Sequence, residues 1–381
     1  MTATAVAVED RLVYDLDGIG AQYDALLAEL PGVRVRFALK ACPVDEVLRL
    51  LAGRGAGVDA AGPQEITQAL RAGVPAGRIH YGNTVKSDRN IADAHRLGIR
   101  DFATDTVEDV RAVAAHAPGA RVFCRLATTG DGALWGLSEK FGCAPDEAVR
   151  VLSTARAAGL VPAGLSVHVG SQQMTADAWQ DAFADLAETL TALRGQGIVL
   201  DHVNLGGGLP ALGYADRYGA PLDPPLDKIF AVLRDGLRHL RDLHGGPLAF
   251  VVEPGRHLVA DHGTVHAHVV RMARRRGPDG EDRHWLYLSV GRFNGLYETD
   301  ALQYPLVFPD APPGAERVLA RVAGPTCDSD DAFPGLVSVP RELRSGDPVQ
   351  VRSSGAYATS YMTLGFNGFA PLPHHCAGGP A

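Results

Sequence analysis

Lysine is nearly missing from this chain. Of its 36 lysine and arginine residues only Lys40, Lys86, Lys140 and Lys228 are lysine. Arginine does the rest of the cationic work, so each lysine marks a place where a primary amine could matter. Cysteine is scarce too: Cys42, Cys124, Cys143, Cys327 and Cys376 are odd in number, widely spaced and without a C-x-x-C pair. That argues against a disulfide framework and a structural zinc site, and no metal is expected. Positive charge is not in excess. A net charge of −8 offers no electrostatic footprint for a nucleic-acid backbone, and the short run "RMARRRG" reads as a solvated loop. No apolar run is long enough to span a bilayer. The N-terminus "MTATAVAVEDRLVYDLDG" lacks the basic start and long apolar centre of a signal peptide, so a cytoplasmic enzyme with no nucleic-acid or membrane partner is expected. No long flexible linker is visible, and the tail "HHCAGGPA" reads as a frayed terminus rather than a metal tripod.

What is present is an ordinary globular composition, 46% apolar and 21% charged, over 381 residues, which is too much chain for one small core. From about residue 18 to 262 one rhythm repeats: a short apolar strand, a turn, then an Ala/Leu/Arg-rich amphipathic helix. Strand candidates are "VRVRFALK", "GAGVDAA", "RIHYGN", "DFATDT", "RVFCRLA", "LVPAGLSVHVG", "HVNLGGG" and "LAFVVEPG". Eight strands alternating with helices over about 250 residues predict an α/β fold, a (β/α)8 TIM-like barrel. From residue 263 to 381 strand-like runs separated by Gly, Pro and Asp predict a second, C-terminal β-rich domain, joined by an N-terminal strand within residues 1–17.

In a barrel, functional groups gather at the C-terminal ends of the strands. Lys40 ends an early strand, His168 and Ser171 follow another, Gly206, Gly207 and Gly208 a third, and Glu253, Gly255 and Arg256 the last. Three glycines in a row let backbone N–H groups approach an oxyanion, and the loops after the last barrel strands are a recurrent phosphate site. Ser171 and Arg256 add a hydroxyl and a guanidinium; the bland alternative is a tight turn. A lysine among apolar neighbours has its amine freed to attack carbonyls, whereas arginine cannot form an imine. The alternative for Lys40 is a side chain reaching to solvent. An imine-forming lysine, a phosphate cradle and Glu253 as partner for a pyridinium nitrogen together describe pyridoxal phosphate binding. His168 could lie on the ring face or be a satisfied structural histidine.

The ordered set "FALKACP", "GVDAAGPQEI", "EKFG", "SVHVGSQ", "NLGGGLP", "EPGRHLV", "GPTCDSDD" and "GAYATSYMTLGFNGF" covers nearly the whole chain. It resembles the group III pyridoxal-phosphate decarboxylases, the ornithine/lysine decarboxylase branch of the alanine-racemase-like barrel enzymes. The resemblance implies that Lys40 carries the cofactor as an imine, that His168 stacks on its ring and that Glu253 partners the pyridine nitrogen. It also implies that Ser171, Gly207, Gly208, Arg256 and Tyr357 bind the phosphate, with Gly255 among the cofactor-binding residues. Asp59, Glu65 and Arg125 match residues around the cofactor and its lysine. It further implies a homodimer with shared active sites, in which Cys327 donates a proton, Asp328 contacts the distal amine of the substrate, and Lys140 and Asp331 form a pair between subunits. Read without that context, Cys327 is a small buried apolar side chain and the acids after it a solvated turn.

The expected reaction is decarboxylation of a basic L-amino acid, ornithine or lysine. "YLSVGRFNGLYETDALQYP" matches the family's substrate segment, with Tyr297 and Glu298 as candidate contacts, but Ser289 stands where bacterial relatives commonly carry Asp. The alternatives keep the chemistry and change the substrate: diaminopimelate, a D-amino acid or a carrier-bound aminoacyl group. A racemase is disfavoured, because racemases of this fold place a tyrosine where this chain has Cys327. A non-catalytic regulatory relative is disfavoured by Lys40, Glu253 and Cys327 together. The loop "TTGDGALWGLSEK", with Trp135, has no assigned role.

Overall fold

A computed structural model describes residues 9–136, 140–277 and 279–379. Residues 1–8, Leu137, Ser138 and Glu139 (the first residue of "EKFG"), Pro278 and the last two residues lie outside the described residues. Two compact units emerge, one of residues 20–210 and 224–257, the other of residues 9–19, 211–223 and 258–379 among those described.

The first unit is a closed barrel of eight parallel strands among the described residues. In chain order they are β1 (Arg34–Ala38), β2 (Gly57–Ala60), β3 (Ile79–Tyr81), β4 (Asp101–Thr104), β5 (Arg121–Arg125), β6 (Val161–Ser166), β7 (His202–Asn204) and β8 (Ala249–Val252). Each pairs with the next, and β8 closes on β1 through Val251 opposite Arg34 and Val252 opposite Val35. Helices cover the outer faces, so the strands are apolar on both sides: Val35, Phe37, Val58, Ile79, Phe102, Val122, Val203 and Phe250 are all buried. Helix starts carry their own signals. Pro63 and Pro145 occupy the first turns of their helices, and the Ser87 and Thr106 hydroxyls accept from Asn90 N and Asp109 N, satisfying donors that the helix leaves open.

Lys86 shows what a second lysine does here. Its buried ammonium donates to Asp109 Oδ2 at 2.7 Å and to the carbonyls of Ala103, Thr84 and Asn83. A compact charge with donors in several directions suits that cluster of oxygens.

The second unit is built on a sheet of eight strands among the described residues. Its long strand Gly263–Arg276 pairs antiparallel with Asp282–Leu288, with Pro348–Val351 and with the N-terminal strand Arg11–Asp15. Three expectations are corrected here. The run "RMARRRG" is not a loop, since Arg274 pairs with His284 and Arg276 with Asp282 in a strand ladder; cationic stems can line an exposed hairpin face. The tail is not frayed over His374–Ala377, which forms a strand parallel to Arg11–Asp15. Residues 211–223, expected within the barrel, group with the β-rich unit, where Ala215 and Asp216 pair with Gln303 and Leu302.

Candidate active site

β1 ends at Ala38, and Lys40 follows in a single 3-10 turn, Leu39–Ala41. That turn is pressed against the turn after β8. Ala38 N donates to Pro254 O, and a Cβ on Gly255 would sit 2.7 Å from that of Ala41, so packing alone accounts for glycine at 255. The surroundings of Lys40 differ from the apolar ones expected. Its Nζ donates to Asp59 Oδ2 at 2.7 Å, and an anion in contact favours the ammonium.

Asp59, on β2, is buried, and its other oxygen faces His80 Nε2 at 3.1 Å. The same Nε2 lies 2.8 Å from Glu253 Oε1, which also accepts from Asn204 Nδ2 at 2.5 Å. Burial opposes charge on Asp59, but Lys40 and His80 hold its carboxyl far below the ordinary value. For His80, burial and Arg36 oppose protonation, yet the two hydrogen-bonded carboxylates raise its pKa above the histidine norm. Glu65, nearby, accepts from Ala61 N at 2.6 Å, and burial raises its pKa.

Lys40, Asp59, Phe123, Arg125, Phe141, His168 and Glu253 line one cavity of about 220 Å³. The Arg125 guanidinium lies 4.8 Å from the centre of the Phe141 ring; burial lowers its pKa, with Glu253 as the main opposing charge. His168 follows β6, and its Nδ1 accepts from Gly170 N at 3.2 Å. That bond puts the ring proton on Nε2. Burial, then Arg125 and Lys40, lower the His168 pKa to about 3, which favours the neutral ring.

The glycine loop after β7 packs against this segment. Gly206 has φ +66, and a Cβ there would lie 2.0 Å from Val167 O; Gly208 has φ +108. A Cβ on Gly207 would reach 3.1 Å from Glu253 O and 3.5 Å from His168 Nε2. Arg256, at the start of the short helix after β8, is buried with its Nη2 3.2 Å from Ser171 Oγ and its Cζ 4.8 Å from the Trp135 ring centre. Trp135 therefore has a place: the strand Ala133–Trp135 pairs with Ser171–Gln173, and the indole lies against the Arg256 guanidinium.

Of the other predicted residues, all but Lys140 belong to the β-rich unit. Cys327 is exposed, unlike the buried thiol that composition alone suggested. Its N–H donates to Asn367 Oδ1 at 2.8 Å, and Asn367 Nδ2 lies 3.3 Å from its Sγ. Asp328 Oδ1 accepts from Asp330 N. Glu298 is 6% exposed, whereas Tyr297 is 39% exposed and stacks on Tyr361 with ring centres 4.4 Å apart. Tyr357 has φ +59, a left-handed backbone uncommon outside glycine, and its ring lies 5.8 Å from that of Tyr361. Asp331 is buried, with Oδ1 accepting from Arg292 N and Oδ2 from Thr326 N and Oγ1. Both oxygens thus have partners in their own unit. Lys140 is exposed, its Nζ 5.0 Å from the Phe141 ring centre. Sequence reasoning missed His80, Asn204, Phe141 and Asn367.

Residues 16–260 match the family model "Pyridoxal-dependent decarboxylase, pyridoxal binding domain". The chain belongs to the pyridoxal-dependent decarboxylase family. Relatives in this family include the lysine/ornithine decarboxylase of Selenomonas ruminantium, 30% identical over 95% of this chain and 88% of that protein. Another is the ornithine decarboxylase of Schizosaccharomyces pombe, 29% identical over 94% and 81%. The crystal structure of a lysine/ornithine decarboxylase from Vibrio vulnificus complexed with putrescine superposes with a TM-score of 0.83 at 29% identity, covering 97% of this chain and 94% of that one.

The cofactor of this decarboxylase is pyridoxal phosphate, and the chain's own residues suit it. The donor set joins a primary amine and a carboxylate in one cavity, and the loop after β7 packs so closely on Val167, Gly170 and Glu253 that side chains on it would clash, giving the glycine-rich kind of turn whose backbone N–H groups bind oxyanions.

Proposed function

We propose that this decarboxylase acts on a basic L-amino acid, lysine or ornithine, releasing CO₂ and the corresponding diamine. The observation that carries the reading is the single cavity in which Lys40, salt-bridged to Asp59, faces a space shared with His168 and Glu253. The substrate class follows the names of the relatives. Buried Glu298 and the partly exposed Asp328 add carboxylates suited to a cationic distal amine.

Bound pyridoxal phosphate supplies an electron sink for the pair left behind when the carbon–carboxylate bond breaks. Lys40 Nζ is the amine that tethers it, and Asp59 orients that amine. Glu253, held by Asn204 and His80 at Oε1, keeps a proton at the ring nitrogen. His168 presents a neutral ring to the cavity and so adds no competing charge. Ser171, Gly207, Gly208, Arg256 and Tyr357 hold the phosphate, with Trp135 fixing the Arg256 plane.

Cys327 Sγ delivers the proton that replaces the carboxylate, and the Asn367 carboxamide orients it. Cys327 and Asp328 act in the site of a second copy, so the working form is a homodimer with shared active sites. Exposure of Cys327 together with its fixed backbone supports this. Lys140 contributes to that interface as an exposed cation, and Asp331 by shaping the turn that carries Cys327. Cytoplasmic residence fits a metabolite substrate; among the described residues no helix is long and apolar enough to cross a membrane.

The test is mass-spectrometric detection of amines after incubation with pyridoxal phosphate and, separately, the L and D forms of ornithine, lysine, arginine and diaminopimelate. Putrescine or cadaverine from an L substrate is expected. Absence of any amine would move the substrate to a modified or carrier-bound amino acid, while turnover by Lys40→Arg would overturn the role of Lys40.

A further inference from the structure

His80 lies in the middle of β3, between Ile79 and Tyr81, where the sequence reads as wall. It is 1% exposed. Its Nε2 lies 2.8 Å from Glu253 Oε1 and 3.1 Å from Asp59 Oδ1. One ring nitrogen therefore sits between the carboxylate assigned to the cofactor's ring nitrogen and the carboxylate that holds Lys40. Space for this contact is built in. A Cβ on Gly82 would stand 1.8 Å from Asp59 Oδ1 and 3.4 Å from His80 Nε2.

The ring's neighbours come from several barrel strands, and Asp101 stands opposite His80 on β4, paired with Arg36. Phe123 of β5 lies 5.1 Å away between ring centres, tilted by 34°. Arg36 of β1 is the nearby cation opposing a charged imidazole, and Asp59 of β2 and Glu253 after β8 are the anions favouring it. Lys40 acts on Asp59, and Arg125 on both Glu253 and Asp59. The three donor atoms of Asp59, His80 and Glu253 also lie within 4.8 Å of one another, a spacing a cation could bridge. The Lys40 ammonium already stands against Asp59, however.

We propose that His80 is a positioning residue of the decarboxylation centre: a single Nε2–H shared by Glu253 and Asp59 locks the two carboxylates to each other beneath the cavity. The ring-nitrogen end of the site is thereby tied to its lysine end, so that neither carboxylate can swing without the other. A proton at Nε2 is what keeps two like charges this close, and the positive pKa displacement already described fits that state. The inference rests on the roles given above to Lys40 and Glu253.

Three measurements test it. Histidine-selective ¹⁵N NMR of the unaltered full-length protein without cofactor should show a protonated Nε2 at His80 through the neutral range. An Nε2 lacking a proton, as in a metal ligand or an acceptor, overturns the proposal. In the holoenzyme, His80→Leu should lower kcat/KM by about tenfold to a hundredfold, the scale for a misplaced reacting group. It should also raise the pH midpoint of the Lys40-linked visible band by about one unit, because Asp59 then acts on the amine unshared. His80→Gln, whose amide can still donate to both carboxylates, should recover most of kcat/KM while its midpoint stays raised, since the charge is gone. Variants matching the unaltered protein in both readouts, or equally slow with an unmoved midpoint, would reduce His80 to packing. Should the unaltered protein form no visible band with pyridoxal phosphate, the Lys40 assignment itself fails. A normal band with unaffected variants removes only His80.

Discussion

Replacing His168 with phenylalanine should make the cofactor-free chain more resistant to acid. In the unfolded chain the imidazole titrates near 6.5, whereas in the folded chain burial, Arg125 and Lys40 hold it at about 3. The folded value is the lower one, so the unfolded state takes up the proton first. The stability associated with the neutral ring is complete above about pH 6.5 and is lost progressively as the pH falls toward about 3. From about pH 6.5 to about pH 4.5 the loss is roughly two units at about 1.4 kcal/mol each, or about 2.7 kcal/mol. Phenylalanine keeps an aromatic ring and has nothing to titrate. Every other titrating group, His80 included, is common to both proteins and cancels in the difference. Urea unfolding of both chains at about pH 7.5 and about pH 4.5 should therefore show the stability difference moving toward the variant by about that amount. A difference that is the same at both pH values, or a His168 ring resonance titrating near 6.5, would refute the reasoning.

Gly206→Ala places a methyl group 2.0 Å from Val167 O at a residue with φ +66; backbone strain alone costs about 1–2 kcal/mol. Loss of pyridoxal phosphate retention, measured by absorbance after dialysis, is expected to exceed the loss for Gly195→Ala, where no atom lies within 4 Å. Asp331→Ala strips the acceptor from three donors, two of them backbone N–H groups, and should destabilise the β-rich unit by about 3 kcal/mol in thermal unfolding. Asn367→Ala removes the carboxamide that holds Cys327; amine formation should fall while absorbance shows full cofactor occupancy, because the barrel's own residues are untouched.

Much of the barrel is legible in the chain because its causes are local. Strand length, helix caps and the glycines that end β7 act within a few residues of themselves. The gathering of Lys40, His168, Glu253 and Arg256 at one end follows once the strands are ordered, since each closes or follows a strand of the same direction. Misreadings arise where a local pattern has two physical outcomes. "RMARRRG" is polar enough for a loop, yet it pairs with Asp282–Leu288 because the ladder satisfies its backbone while the guanidiniums stay wet. "HHCA" has no apolar alternation and is ordered by a partner strand some 360 residues away in sequence.

The alternating architecture, the scarcity of lysine that singles out Lys40 and the ordered motifs that carry the family can all be read along the chain. The electrostatics arise only when the barrel closes. Lys40 and Asp59 stand 19 residues apart, Asn204 and Glu253 49 apart, and a histidine inside "RIHYGN" gives no local sign that its ring will bridge Asp59 to Glu253. Periodicity specifies which face a residue takes; which charge it meets across a closed barrel depends on strand stagger and on closure of β8 onto β1, neither of which leaves a mark in neighbouring residues.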